Sequence, residues 1–225
     1  MRFVDAASVP VEPITLFETV GAASAFLAEG RGEARVHYLR FEPGMSSLPI
    51  QTPSLRLRHL VLEEAGRMME LNGEPSTRQW LPSHVYADVD VATARMRELI
   101  SCYSSPGDPR RGPYVLAIEH LASGVLLGHV GFSPFENEVE VSYAIAEDSR
   151  GRGYGSEALL SACRWVADTF SVASVLAITE SGNIPSRRTL ERAAFVHDRD
   201  MVMQFQGSPQ TVSRYLWRPF DGRAR

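Results

Sequence analysis

The sequence predicts an α/β (α+β) domain built on a mixed sheet, and three observations carry that expectation. From residue 55 onward short apolar or alternating runs recur, first as a meander, then as strand–helix–strand–helix–strand. Hydrophobic residues make up 44% of the 225, enough to bury the core of one sizeable domain. No internal repeat or low-complexity tract interrupts the pattern.

The elements follow in order. Residues 1–50 differ from the rest: ITLFETVGAASAFLAEG suits a short helix, and ARVHYLRF alternates like a strand ending at the Pro43-Gly44 turn. They are assigned as an N-terminal extension acting as a lid, a dimer arm or a partial extra domain. SSLPIQTPS then reads as a linker into the main domain, residues 53–218. LRLRHLVL has period-two alternation with Arg56 and Arg58 outward, the mark of a half-buried strand. Helices are expected near 63–71 and 89–104, the second with Val91, Ala94, Leu99 and Cys102 toward one face. Strands at 114–119 and 125–132 flank HLASG as a hairpin, and a third covers about 138–146. Helix 155–170 sets Leu159, Ala162, Cys163, Val166 and Phe170 on a core face. SVLAIT is apolar throughout, as in a strand covered on both sides. A helix near 184–193 and strands near 196–203 and 212–218 complete the chain.

Composition excludes several classes. With 23 basic and 27 acidic residues the net charge is -4, against recognition of nucleic acid by bulk charge. The two cysteines, Cys102 and Cys163, lie far apart without metal spacing, and the six histidines form no ligand cluster, so no metal is expected. No apolar run reaches the roughly 18 residues of a membrane span, and the N-terminus lacks a secretion layout. A cytoplasmic protein is expected.

One stretch points to chemistry. SRGRGYGSEAL places Gly151, Gly153 and Gly155 directly before an amphipathic helix. No lysine follows as a Walker loop requires, Ser156 stands where a dinucleotide fingerprint has its last glycine, and G-x-S-x-G is absent. What remains is a turn whose freed N–H groups converge on an anion at a helix N-terminus, with Arg150 and Arg152 supplying charge. A pyrophosphate site fits better than a plain flexible turn.

Three segments in order then resemble one family. Arg150-Gly151-Arg152-Gly153-Tyr154-Gly155 matches the [QR]-x-x-G-x-[GA] signature of the GCN5-related N-acetyltransferases (GNAT). LRLRHLVLEEAGRMMELNGEP is similar to the opening of their ribosomal-protein N-terminal acetyltransferase branch. NIPSRRTLERAAF is similar to that branch's N-x-x-S-x-x-x-x-E-[KR]-x-G-F helix. The resemblance implies a mostly antiparallel central sheet with helices on both faces and splayed central strands. It implies acetyl-CoA as donor and direct attack by a primary amine, of a small molecule or a peptide N-terminus. Backbone groups of Arg150, Gly151, Arg152, Gly153, Tyr154, Gly155 and Ser156 would hold the pyrophosphate. The strand end Tyr143-Ala144-Ile145-Ala146 would pair with the pantetheine, an N–H near Ala144 or Ile145 polarising the carbonyl. Asn183, also a helix cap by position, would meet the pantetheine, and Ser186 would reach the sulfur as proton donor.

Strand parity puts Glu138, Glu140, Ser142 and Ala144 on one face, and Glu140 matches the family's glutamate before the strand's aromatic, a general base. The bland alternative is a salt-bridged pair. Trp80 and Tyr86 in QWLPSHVYADVD, His129 and Glu138 are substrate-side candidates, each with a structural alternative. Two departures stand out: Ala194 replaces the usual glycine before Phe195, and Leu190 stands where many members carry a tyrosine general acid. Transfer of another acyl group, another reaction on this scaffold, or a non-catalytic CoA-binding module therefore remain alternatives. A homodimer is compatible with each.

Overall fold

The computed structural model describes residues 48–205 and 207–219. The helix and strand expected before residue 47, and the role given to the N-terminal extension, lie outside the described residues. These residues form an eight-stranded sheet from β1 (Ile50–Gln51), β2 (Leu55–His59), β3 (Tyr114–His120), β4 (Leu126–Phe135), β5 (Glu138–Ile145), β6 (Val175–Glu180), β7 (Val196–Phe205) and β8 (Ser208–Trp217). The order is β1-β2-β3-β4-β5-β6-β8-β7. Only β5–β6 is parallel; the other neighbours are antiparallel, so the expected mixed, mostly antiparallel sheet is present.

Helices cover both faces. On one, α1 (Ala65–Asn72) and α3 (Val89–Ser101) set Met68, Leu71, Ala92, Met96 and Leu99 against Val115 and Ala117. On the other, α4 (Tyr154–Phe170) sets Leu159, Ala162, Cys163 and Val166 against Leu57, Leu116, Val130 and Tyr143. The α4 crossover is what makes β5 and β6 parallel neighbours. A fifth helix, α5 (Ile184–Arg192), follows β6.

Three expectations change. The stripe of α3 is Ala92, Met96 and Leu99, while Val91 is 46% exposed, because the Asp88 side chain caps Val91 N–H and fixes the helix phase. Residues 75–80, outside every expected helix, form a short helix, α2 (Pro75–Trp80), begun by Pro75 at its first position. The alternating run from Leu55 ends at His59, where Leu62–Glu64 turns the chain into α1. Arg56 and Arg58 do point off the core, yet both close on the buried Glu119 at 2.7 Å, and Arg58 also bridges Glu64.

Candidate active site

The parallel strands β5 and β6 pair only at Val139↔Val175 and Glu140↔Leu176, and beyond that rung they part. Backbone alternation decides what lines the resulting gap. Ala146 N–H donates to Leu127 O at 2.7 Å, so Ala144, two residues back, also turns its amide to β4. The amides of Tyr143 and Ile145 therefore face the gap. Of the two donors expected for the thioester carbonyl, Ala144 is excluded by this register, Ile145 is retained, and Tyr143 joins it.

The glycine turn closes the wide end of the gap. Gly151 and Gly153 stand at φ +75° and +87°, the left-handed region, and Gly153 is the N-cap of α4. A Cβ on Gly155 would lie 3.1 Å from Thr189 and 3.3 Å from Tyr143, so glycine lets α4 start tight against α5 and β5. A cleft of about 380 Å³, counted to its open mouth, is lined by Ile145, Ser149, Arg150, Gly151, Gly153, Tyr154, Gly155, Ser156, Thr189 and Arg192. Thr189 and Arg192 had not been singled out; Arg192 is the basic position of the E-[KR]-x-G-F pattern, the signal that could have found it. Arg152 is exposed beside the cleft, and Ser156 Oγ donates to Gly153 O at 2.9 Å.

Arg150 does something other than expected. Its side chain is buried, with Nε donating to Ile145 O at 2.7 Å and Nη atoms 3.4 Å from Glu74 and 3.6 Å from Glu147. The guanidinium staples the end of β5 to the turn and to the loop before α2. The Arg150 backbone N–H donates in turn to Glu147 O at 3.4 Å, closing the turn.

At the start of α5, Asn183 Oδ1 accepts from Ser186 N–H at 3.2 Å, the cap its position suggested. Asn183 and Ser186 are fully buried. Ser186 Oγ, Tyr143 Oη and Thr179 Oγ1 are buried without hydrogen-bond partners. Burial holds the Tyr143 phenol above its ordinary pKa, only partly offset by the nearby Thr189 and Ser186 hydroxyls. Ser186 and Tyr143 reach each other only loosely and Thr179 Oγ1 has no partner, so with the two gap-facing amides they form an incomplete hydrogen-bond set. The amide-bearing pantetheine arm and thioester of acetyl-CoA supply such partners, so the residues present fit that donor. Leu190, where a tyrosine acid was missing, is 1% exposed and packs in the core.

The opposite face of β5 carries Glu140. It is 3% exposed, its Oε1 has no partner, and burial raises its pKa to about 8. It sits on the last paired rung, the closed end of the gap, with Ser133 beside it on β4. Leu81, Phe205, Val212, Leu176 and Ile178 form an apolar cluster with Ala144 on this face. That environment is the cause of the shift: no cation offsets the desolvation of the carboxylate.

The remaining candidates separate. Glu138 is bound by Arg214 at 2.5 Å and sits at the far end of β5. Trp80 is the half-buried last residue of α2 rather than a loop residue. Tyr86 and His129 do come together, in a second cleft of about 400 Å³ under α1 and α3, with Asn72, His84 and Arg95. There His129 Nε2 lies 3.3 Å from His84 Nδ1, and burial lowers the two pKa values to about 4 and about 3. Both rings are therefore neutral at pH 7.

A parted parallel strand pair and a glycine turn capping a helix form the kind of cleft that a CoA-dependent acyltransferase needs for its thioester arm and pyrophosphate. The family model for the acetyltransferase (GNAT) domain matches residues 54–196, and the chain belongs to that family: it is an acetyl-CoA-dependent N-acetyltransferase. Among solved structures, it is similar to a putative ribosomal-protein-serine acetyltransferase from Vibrio cholerae, at 18% identity and TM-score 0.63, covering 76% of this chain and 97% of that one. A GNAT-family acetyltransferase from Bacillus anthracis aligns at 14% identity and TM-score 0.64, over 75% and 97%. RimL, a ribosomal L7/L12 alpha-N-protein acetyltransferase in complex with CoA, aligns at 15% and TM-score 0.61, over 74% and 95%. At the sequence level no curated protein matches. Among the described residues no helix is long and apolar enough to cross a membrane.

Proposed function

We propose that the acceptor is the primary amine of a peptide N-terminus, or of a small molecule entering the same opening, and that Glu140 and Ser186 handle its protons. The observation that carries this reading is the pair of gap-facing amides, Tyr143 and Ile145, between a buried base on one face and a buried hydroxyl on the other. A peptide is the first choice because relatives of the same fold are ribosomal-protein acetyltransferases.

When bound, acetyl-CoA supplies an activated acyl carbonyl and a thiol leaving group. One of the gap-facing amides, Tyr143 or Ile145, about 6.6 Å apart along the strand, would hold the carbonyl oxygen and the other the pantetheine arm, and the helix N-terminus at Gly153 would face the pyrophosphate. Glu140 lies three residues before Tyr143, about 10 Å along the strand, so it takes the acceptor's proton through water. A carboxylate with a pKa of about 8 is a better base than an ordinary one and matches the ammonium it relieves. Ser186 Oγ, beside the Tyr143 phenol but without a full hydrogen bond, would return a proton to the sulfur from the α5 side. Apolar side chains of Leu81 and Phe205 keep bulk water from this face.

A thiol-release screen tests the reading: acetyl-CoA with peptides bearing free N-termini, the same peptides N-blocked, and simple amines. Thiol release with free but not blocked peptides supports it. Release unaffected by blocking, or no release with any amine, overturns it.

A further inference from the structure

The mechanism leaves a carboxylate beside the gap unused. Glu180 is the last residue of β6, and the parity of that strand can be read from its partners. Leu176 and Ile178 belong to the cluster around Ala144 and Leu81, whereas Ala177 packs with Tyr215 on the α4 side. Glu180, two residues past Ile178, therefore projects to the Glu140 face, beside its partner Val212.

The rung count locates it along the gap. Glu140 pairs with Leu176, so a parallel continuation sets Ala144 opposite Glu180. Glu140 is at the closed end of the gap and Glu180 at the open end. The two gap-facing amides, Tyr143 and Ile145, bracket the level of Glu180. Ala144, Ile178 and Val212 already share one cluster, so the two strands stay near enough for this face to be continuous.

No ion pair or hydrogen bond reaches the Glu180 carboxylate among the described residues, and the group is half-buried. Burial alone shifts its pKa upward, with no cation to oppose it. Glu138, on the same face but at the far end of β5, is engaged by Arg214. A half-buried carboxylate without a counter-ion, at the open end of an amine-acetylation site, has the chemistry to receive an ammonium.

We propose that Glu180 is the acceptor-binding residue: its carboxylate receives the incoming ammonium at the open end of the gap and aims it at the carbonyl held by a gap-facing amide, that of Tyr143 or Ile145. The substrate class follows. The acceptor enters as a cation, and Glu140 strips its proton only afterwards. This rests on the acceptor being a primary amine, as proposed above.

The test needs no knowledge of the natural acceptor. S-(2-aminoethyl)-CoA carries an ammonium two carbons from the sulfur, and S-propyl-CoA is its neutral isostere. Titration calorimetry of the full chain at pH 7 is expected to show about tenfold tighter binding of the aminoethyl compound, the size of one charge-assisted hydrogen bond. Glu180→Gln is expected to equalise the two compounds while leaving S-propyl-CoA affinity unchanged, Glu180→Asp to keep part of the preference, and Glu140→Gln to keep all of it. Because the readout is a ratio within one variant, a general loss of folded protein does not imitate it. Equal affinities in the wild type, a preference that survives Glu180→Gln, or one abolished by Glu140→Gln would each overturn the proposal. Failure of S-propyl-CoA itself to bind would instead sink the CoA-site reading, and the proposal with it.

Discussion

The two faces of β5 solve their tasks with different materials. At the gap and toward α4, the side proposed for the donor offers backbone: the amides of Tyr143 and Ile145, the left-handed Gly151 and Gly153, and the N-terminus of α4. On the opposite face, the side proposed for the acceptor presents side chains from distant segments: Leu81, Glu140, Glu180 and Phe205. Backbone groups recognise what every CoA presents, and turnover of side chains on the other face leaves them intact. The contrast explains how one donor can serve many acceptors on one scaffold.

The largest expected effect tests the acceptor side. Glu140→Gln keeps the shape of the buried side chain but removes the base, so kcat at pH 7 should fall about 100-fold. For the wild type, kcat/KM should rise with pH through about 8, the raised pKa of Glu140. The variant should narrow the difference above that pH, where amines lose their own protons. Equal profiles for both proteins would remove Glu140 as base and return it to a structural role.

Next comes the donor side. Gly153→Glu places a side chain at φ +87° and a negative charge at the N-terminus of α4. The KM for acetyl-CoA should rise by about 100-fold, roughly 2.7 kcal/mol, and acetyl-CoA should no longer raise the Tm. The KM for the acceptor should change little. A variant that lost acceptor affinity instead would show that the two faces are not independent.

A smaller effect separates the faces by stability. Glu140, with its folded pKa raised to about 8, binds its proton more tightly when folded. Its contribution is complete below the unfolded carboxylate value and is lost as pH rises through about 8. His84 and His129, lowered to about 3 and about 4, work the other way. Below about 6.5 the unfolded chain takes up protons that the folded one refuses, so stability falls with falling pH. Thermal melts should show Glu140→Gln stabilising at pH 8 by on the order of 5 °C, and His129→Gln reducing the acid loss between pH 6.5 and 5 by a few degrees. Parallel melting curves for wild type and both variants would show that neither site is desolvated.

The same division decides what could be read from the sequence. The donor side is local in sequence: a strand, a glycine turn and a helix within residues 138–170, then Asn183 and Ser186 on one helix. Its glycines are the residues for which backbone geometry leaves the fewest substitutes. The mixed sheet was legible in the run of strands and helices, its mostly antiparallel pairing only in the family resemblance, and its strand order in neither. The acceptor side is assembled by register across residues 72–212, and no spacing announces it. The role of Arg150 was misread because a basic residue beside a glycine turn suggests an anion, whereas burial beside Glu74 and Ile145 O gives it a structural task. The stripe on α3 was misread by one position, because the cap at Asp88, not the apolar pattern alone, sets its phase. Glu180 ends an apolar strand, where a charge reads as a boundary marker until the register places it.

The smallest effect concerns a donor-side position where residue and backbone disagree. Helix α5 ends with Phe195 N–H bonded to Leu190 O and Ala194 N–H bonded to Glu191 O, the paired bonds of a Schellman turn. That turn puts Ala194 at φ +65°, where the family pattern has glycine. An alanine Cβ in this conformation costs about 1 kcal/mol or somewhat more, against the smaller entropy that glycine loses on folding. Leu190 and Phe195, both in the core, hold the turn closed despite the strain. Ala194→Gly should therefore raise the Tm by about 2 °C and leave KM for acetyl-CoA unchanged, since the turn is already formed. A drop in Tm would mean that the alanine methyl makes a packing contact outweighing its strain. A change in KM for acetyl-CoA would mean that strain at the end of α5 reaches Ser186 at its start, and that the backbone-built side is less rigid than its amides and glycines suggest.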